Sequence, residues 1–298
     1  MRMSKLRSYI LLTKPHVTAS VYYTWIIAYL VALTGPVNLT KFILESIVIL
    51  LGISWGNAMN NLLDYDIDEV MRRTRTKRVL ARRELSYEEA KKFCKILGIA
   101  SILTTIVVTV LLKDYLTPAL YALAMITYVY LYTALLKRRS WTSILVAAFA
   151  YVAVILHAWY VATGTITIPG LVIAFMGYFW VLTHLWAVAM HWAEDYALAG
   201  VPTITVKYWR RPWIPYLATF TALLATCLLA LTPPLLGLVS PLYSLVILIV
   251  FTSEIYLMIR IGLRDWRGSK RLTFLCYKLT YPLLAVIFTA LLIFHVLA

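Results

Sequence analysis

The chain has 298 residues, 62% of them hydrophobic, and a formal net charge of +15. A mean hydropathy of +0.81 excludes an ordinary soluble domain. The excess of Lys and Arg reads as a collar against anionic lipid headgroups, so it implies membrane lipid as a partner and no nucleic acid.

A bilayer core takes about 20 apolar residues per helix. Nine such spans are predicted, at roughly 17–34, 41–60, 94–112, 116–136, 141–162, 168–190, 213–232, 237–260 and 273–296. The fold class is therefore all-α, a polytopic membrane bundle forming a single domain over residues 1–298. The first apolar run lacks a small-residue cleavage site and reads as an anchor, not a signal peptide. Of the 28 Lys and Arg, 25 fall in the N-terminal tail and in the segments after spans 2, 4, 6 and 8, whereas those after spans 1, 3, 5 and 7 hold only Lys41 and Lys113. By the positive-inside rule the N-terminus is expected in the cytoplasm and the C-terminus outside the cell membrane.

Span 2 ends in Asn60-Asn61-Leu62-Leu63-Asp64-Tyr65-Asp66-Ile67-Asp68, which opens a polar segment over 61–92. Asn60, Asp64 and Asp68 recur every four residues and would share one helical face. Two carboxylates and an amide at the membrane surface suit Mg²⁺, which is bound through a few carboxylates together with a ligand's phosphate oxygens. Asn60 would be a ligand or an orienter. Asp66 points off that face, to solvent or to Arg72 or Arg73. Farther on, Ser86 and Glu89 form a capping box for the next helix.

Span 6 carries a second pattern. Trp180, His184, Val188, His191 and Asp195 fall on one helical face that leads into a polar segment over 191–212 with Glu194, Asp195 and Tyr196. That face is expected to line a cavity. The chain thus reads as two four-helix units, each with a polar cluster after its second helix, and a ninth helix. Lys14, Arg73, Arg75, Lys77, Arg78, Lys137, Arg138 and Lys207 lie at the cytoplasmic face, where some would clamp a diphosphate. Tyr22, Tyr23, Tyr128, Tyr132 and Trp186 are candidates to face an interior cavity and stabilise a passing cation. Cys94, Cys227 and Cys276 form no CxxC pair and read as packing residues. Glu254 and Lys278 are expected to form an ion pair at the cytoplasmic ends of spans 8 and 9.

These motifs resemble the UbiA-type intramembrane prenyltransferases, and within them the protoheme IX farnesyltransferase (haem O synthase) branch. Asn60, Asp64 and Asp68 match the family's Asn-x-x-x-Asp-x-x-x-Asp. Asp66-Ile67-Asp68-Glu69-Val70-Met71-Arg72-Arg73-Thr74, Leu12-Thr13-Lys14-Pro15 and Tyr132-Thr133-Ala134-Leu135-Leu136-Lys137-Arg138 match the branch. So does the second motif, His184-Leu185-Trp186-Ala187 with Glu194-Asp195-Tyr196 and Ala199-Gly200-Val201-Pro202. The match covers roughly residues 10 to 210, and the last third agrees in hydropathy only. Three departures are visible: Tyr151-Val152-Ala153-Val154-Ile155 replaces Gly-Ala-Ala-Pro-Pro, Thr183 replaces a proline before His184, and Lys77 replaces an arginine. The first two fall where an acceptor would sit.

The resemblance implies a UbiA-like bundle that transfers a farnesyl group from its diphosphate to haem B, giving haem O, with Mg²⁺ as cofactor. It implies catalytic Asp64, Asp68 and Asp195, with Asn60 and Glu194 completing the metal set. It implies diphosphate contacts from Asn60, Lys14, Arg73, Lys77, Lys137 and Arg138, and acceptor contacts from His184, His191, Trp186 and Tyr196. A quinone-precursor ring or a glycerol phosphate lipid is the alternative acceptor. A transporter is the competing class, and it is disfavoured by a midplane almost free of charge.

Overall fold

The computed structural model describes residues 4–297. Among them there is no strand, and nine helices reach 18 residues or more when Leu116–Met125 is counted with the π-helix that continues it. Eight of these are long and apolar enough to cross a membrane: α3 (Leu39–Leu63), α6 (Tyr87–Leu112), α7 (Leu116–Met125) with its continuation to Leu136, α8 (Ser143–Thr163), α9 (Ile168–His191), α12 (Trp213–Ala230) with its continuation to Leu236, α13 (Tyr243–Gly262) and α14 (Lys270–Val296). The ninth, α2 (Pro15–Ala32), packs against α8, α14 and α3. Its His16, threonines and tyrosines make it less apolar than the other eight, which qualifies the nine-span expectation. A short α1 (Lys5–Leu12), capped by Ser4 accepting from the Arg7 N–H, precedes it.

Both polar segments contain short helices. The first is α4 (Tyr65–Val70) and α5 (Arg72–Arg75); the second is α10 (Ala193–Leu198) and α11 (Ile204–Lys207). The capping box of α6 is present in full: Glu89 N–H donates to Ser86 Oγ at 3.2 Å and Ser86 N–H to Glu89 Oε2 at 2.9 Å. It starts α6 at Tyr87, a helical segment ahead of the apolar run.

The main core is built by α2, α8, α9 and α14, with α8 at its centre. α6 stands at the edge, and Ile99, Ile102, Leu103, Ile106, Val107 and Val110 are exposed there, as a lipid-facing surface requires. Cys94, Cys227 and Cys276 are free and buried, and they pack in apolar clusters. The pairing of Glu254 with Lys278 does not form. Glu254 is buried beside the Cys276 thiol with both carboxyl oxygens unpaired. Lys278 lies two residues beyond Cys276, hence on another face of α14, and turns toward the interior cavity.

Candidate active site

A cavity of about 550 Å³ opens through the bundle from the ends of α3 and α9 that carry the short helices. Its mouth is polar, with Lys14, Asn60, Asp64, Asp68, Arg73, Lys77, Arg78 and Lys137. Deeper, it is apolar and aromatic, with Val21, Ile53, Tyr128, Tyr151, Val154, Trp180, Val181 and His184 among its walls. Such a chamber suits an amphiphile with a charged head and an apolar tail.

The mouth is held by α3. Asp64 is the C-terminal cap residue of α3 and precedes α4, so Asn60, Asp64 and Asp68 all line the cavity. Asp64 Oδ2 accepts from Lys137 Nζ at 2.5 Å. Its other oxygen is buried and has no partner among the described residues. Asp68 lies 3.8 Å from Arg78 Nε, and Thr74 Oγ1 donates to its carbonyl at 3.1 Å. Burial raises the Asp68 carboxyl above the usual range, against the pull of Arg78. Burial likewise pushes Lys14 well below the ordinary lysine value. For Lys137 burial also opposes the charge, but Asp64 offsets this and holds the ammonium above its ordinary range. Asn60 takes no open role: its carbonyl accepts from Lys14, and its amide donates to Thr133 Oγ1 at 3.1 Å.

Lys137 reaches Asp64 because the chain from Ile126 to Leu136 winds as a π-helix. Bonding from i to i+5 brings residues five apart onto one face, so Lys137 Nζ stands 5.8 Å from the Tyr132 ring centroid. Tyr151 lies flat on α9 at Gly177, where a Cβ would stand 2.5 Å from the ring, and its hydroxyl donates to Thr24 at 2.9 Å.

The span 6 stripe runs only part of its expected length. Trp180, His184 and Val188 line the cavity, but α9 ends at His191 and Trp192 breaks the register. His191 turns to Thr273, with Nδ1 at 3.2 Å from Oγ1. Asp195 is buried and accepts from the backbone N–H of Arg73 at 2.8 Å. Tyr196 receives a hydrogen bond from Arg73 Nη2 at 3.1 Å and offers it a ring face at 5.3 Å. Glu194 is exposed and pairs with Lys270 at 3.0 Å. That partner holds its carboxyl below the usual range.

Other candidates lie off the cavity. Arg138 forms a fork on Asp66, both bonds at 2.6 Å, where Arg72 or Arg73 was expected. Arg138 depresses the Asp66 carboxyl. Trp186 packs in a separate cluster with Ile144, Leu182 and Ala222. Tyr22 stacks on Trp25 at 5.7 Å, and the Tyr23 hydroxyl meets Thr289 at 2.5 Å.

The structure adds residues to the sequence-derived set. Arg78, one of the eight basic residues expected at the cytoplasmic face but not among those the resemblance assigns to the diphosphate, joins the mouth at Asp68. Tyr277, Lys278 and Tyr281 of α14 form a wall with His184. His184 Nδ1 lies 2.7 Å from Thr280 Oγ1, its ring stacks on Trp180 at 5.5 Å, and it meets Tyr281 edge-on at 4.4 Å. No motif in the last third of the sequence signals this wall.

The fold and its chamber define an intramembrane helical bundle with an interior site for an amphiphilic ligand. The model of the UbiA prenyltransferase family matches residues 21–281; the chain belongs to that family and is a membrane-embedded prenyltransferase. It is 34% identical over 257 residues to a protoheme IX farnesyltransferase of Mycolicibacterium paratuberculosis, spanning 86% of this chain and 82% of the relative. Among solved structures, the bundle superposes on one from a study of digeranylgeranylglyceryl phosphate synthase with a TM-score of 0.78 at 18% identity, covering 99% of this chain and 100% of that one. It also superposes on a UbiA homologue from Archaeoglobus fulgidus bound to GPP and Mg²⁺, with a TM-score of 0.69 at 16% identity, covering 95% of this chain and 99% of that one. At these identities the solved structures bear on the fold.

Proposed function

We propose that the protein transfers a farnesyl group from farnesyl diphosphate to haem B, giving haem O, with Mg²⁺ as cofactor. The observation that carries this is the cavity that joins a cation-and-carboxylate mouth to an aromatic interior; the names of the curated relatives support the acceptor. The diphosphate would lie among Lys14, Arg73, Lys77, Arg78 and Lys137. The buried, unpaired Asp64 oxygen and the loosely paired Asp68 fit a hard cation that prefers oxygen ligands. Among the described residues no cluster of three acidic, His or Cys side chains stands ready as a complete metal cage, in keeping with a cation whose remaining ligands come from the diphosphate.

When bound, Mg²⁺ would draw off charge as the allylic C–O bond breaks. The lysines and arginines add electrostatic stabilisation to the leaving diphosphate. Asp195 positions α5, and with it Arg73, through the backbone. Tyr128, Tyr132, Tyr151 and Trp180 supply ring faces that favour a developing carbocation and exclude water from it. His184 faces the acceptor as orienter or iron ligand; Thr280 holds its Nδ1, so Nε2 is the nitrogen directed to the acceptor. The mouth belongs to the cytoplasmic side, which the basic segments define, so the N-terminus is cytoplasmic and the C-terminus external.

The test is purified protein with Mg²⁺, farnesyl diphosphate and haem B, with products resolved by mass. Farnesylated haem is expected. Its absence, with prenylation of another lipophilic acceptor under the same conditions, overturns the acceptor.

A further inference from the structure

The cations of the cavity fall into two groups. At the mouth, Lys14, Arg78 and Lys137 are each engaged, by Asn60, Asp68 and Asp64. Arg73 is engaged by Tyr196, and Lys77, also at the mouth, is a second cation with no ion pair among the described residues. Lys278 stands apart, on the α14 wall with Tyr277 and Tyr281. Its ammonium lies 5.6 Å and 5.5 Å from the ring centroids of Phe274 and Tyr277 and forms no ion pair among the described residues. Two ring faces hold a cation in place without neutralising it, so its charge remains available to an anion. The site's own acids are not available for it: Asp64, between α3 and α4, and Asp68 of α4 have their own cations, and Glu254 of α13 is buried beside Cys276, on a different face of α14 from Lys278.

Its height in the cavity is informative. Tyr281, which meets the His184 ring, lies three residues deeper along α14, a rise of roughly 4.5 Å. A flat molecule resting against His184 and Tyr281 would therefore have the Lys278 ammonium, from the same α14 wall, on its cytoplasmic side. We infer that Lys278 binds a carboxylate of the acceptor, which under the function proposed above is a propionate of haem B. Haem B carries both propionates on one edge and both vinyl groups toward the other. An acid edge fixed at α14 directs the vinyl edge away from α14 into the chamber. Lys278 would thus orient the macrocycle as well as hold it, and would select acceptors that carry an acid group.

The inference is tested by binding, without turnover. Haem B, and haem B with both propionates esterified, are titrated into the full-length detergent-solubilised protein and followed by the Soret band. For the wild type, esterification is expected to weaken binding about ten-fold, as loss of a charge-assisted contact does. Lys278→Gln should weaken haem B binding by the same factor and bind acid and ester alike, and Lys278→Arg should restore the difference. Affinity for farnesyl diphosphate should stay within about two-fold, as for an independent site. A wild type that binds acid and ester equally overturns the inference, as does a Gln variant that still distinguishes them. If the wild type binds no haem at all, the acceptor reading falls, and this inference falls with it.

Discussion

Three carboxylates within five residues have three different environments. Asp64 is buried against Lys137 with one oxygen free. Asp68 is buried with a distant Arg78. Asp66 is exposed and gripped by Arg138. The every-fourth-residue spacing made the first two legible as a pair, and it made Asp66 legible as the odd one. What spacing could not convey is that Asn60 is already satisfied by Lys14 and Thr133, or that Arg138 rather than Arg72 or Arg73 takes Asp66, because those partners come from other helices. Asp64→Asn and Asp68→Asn are each expected to lower prenyl transfer by about 10²-fold or more, the scale of a lost electrostatic group in a dry site. Asp66→Asn should cost far less. Equal losses at all three would contradict the burial difference. Stability should move the opposite way at Asp68. Its folded-state carboxyl titrates above the ordinary value because of burial, so its ionisation opposes folding increasingly as pH rises from the ordinary carboxylate value through the raised one. Metal-free Asp68→Asn should therefore melt higher than wild type at neutral pH and no higher under acid conditions. Thermal melts across that range check the sign, and a lower melting point at neutral pH would refute it.

At the scale of elements, the short polar helices act as one docked unit. α5 is tied to α10 by Asp195 on the Arg73 N–H and by Tyr196 on the Arg73 guanidinium. Hydropathy and composition located both polar segments. They did not reveal that Trp192 interrupts α9, which takes Asp195 off the face of Trp180 and His184, or that His191, the last residue of α9, turns to Thr273 of α14. Nor did they reveal the π-winding of Ile126–Leu136, since its residues read equally well as an α-helix and the change of pitch shows only in the folded chain, as in the bond from the Lys137 N–H to the Tyr132 carbonyl at 2.8 Å. Two roles for Asp195 separate by substitution. As an acceptor for a backbone N–H, it is replaced passably by Asn, which keeps one carbonyl oxygen, but not by Ala, which leaves a donor without its charged partner at roughly 1.5–3 kcal/mol. As a metal ligand, it would tolerate neither. Asp195→Asn is expected to retain most activity and Asp195→Ala to raise KM for the prenyl diphosphate about ten-fold. Comparable inactivation by both would assign Asp195 to the metal instead.

The whole molecule has its site at the meeting of helices far apart in sequence. The mouth comes from α3, α4, α5 and the end of the π-helix, whereas the inner wall joins α9 to α14. α14 has no motif and reads only as an apolar span; it enters the site because it packs against α2 and α9. That packing is a property of the bundle and has no local signature. Charge, by contrast, is summed along the chain, so orientation is the global property most open to sequence reading. The basic segments after α3, π-helix, α9 and α13 lie on the side of the cavity mouth. Asn38 and Thr165, both exposed, lie in connections at the opposite end, and exposed Arg83 lies with the mouth. Under the function proposed above, a prenyl diphosphate made in the cytoplasm would have to reach that mouth from the cytoplasm, so the charge rule and that access requirement point the same way. In intact cells making variants otherwise free of reactive thiols, Asn38→Cys and Thr165→Cys should label with an impermeant maleimide and Arg83→Cys should label only after lysis. The buried native cysteines would give little background. Labelling of Arg83→Cys from outside would invert the topology and put the diphosphate site on the wrong side of the membrane for its substrate.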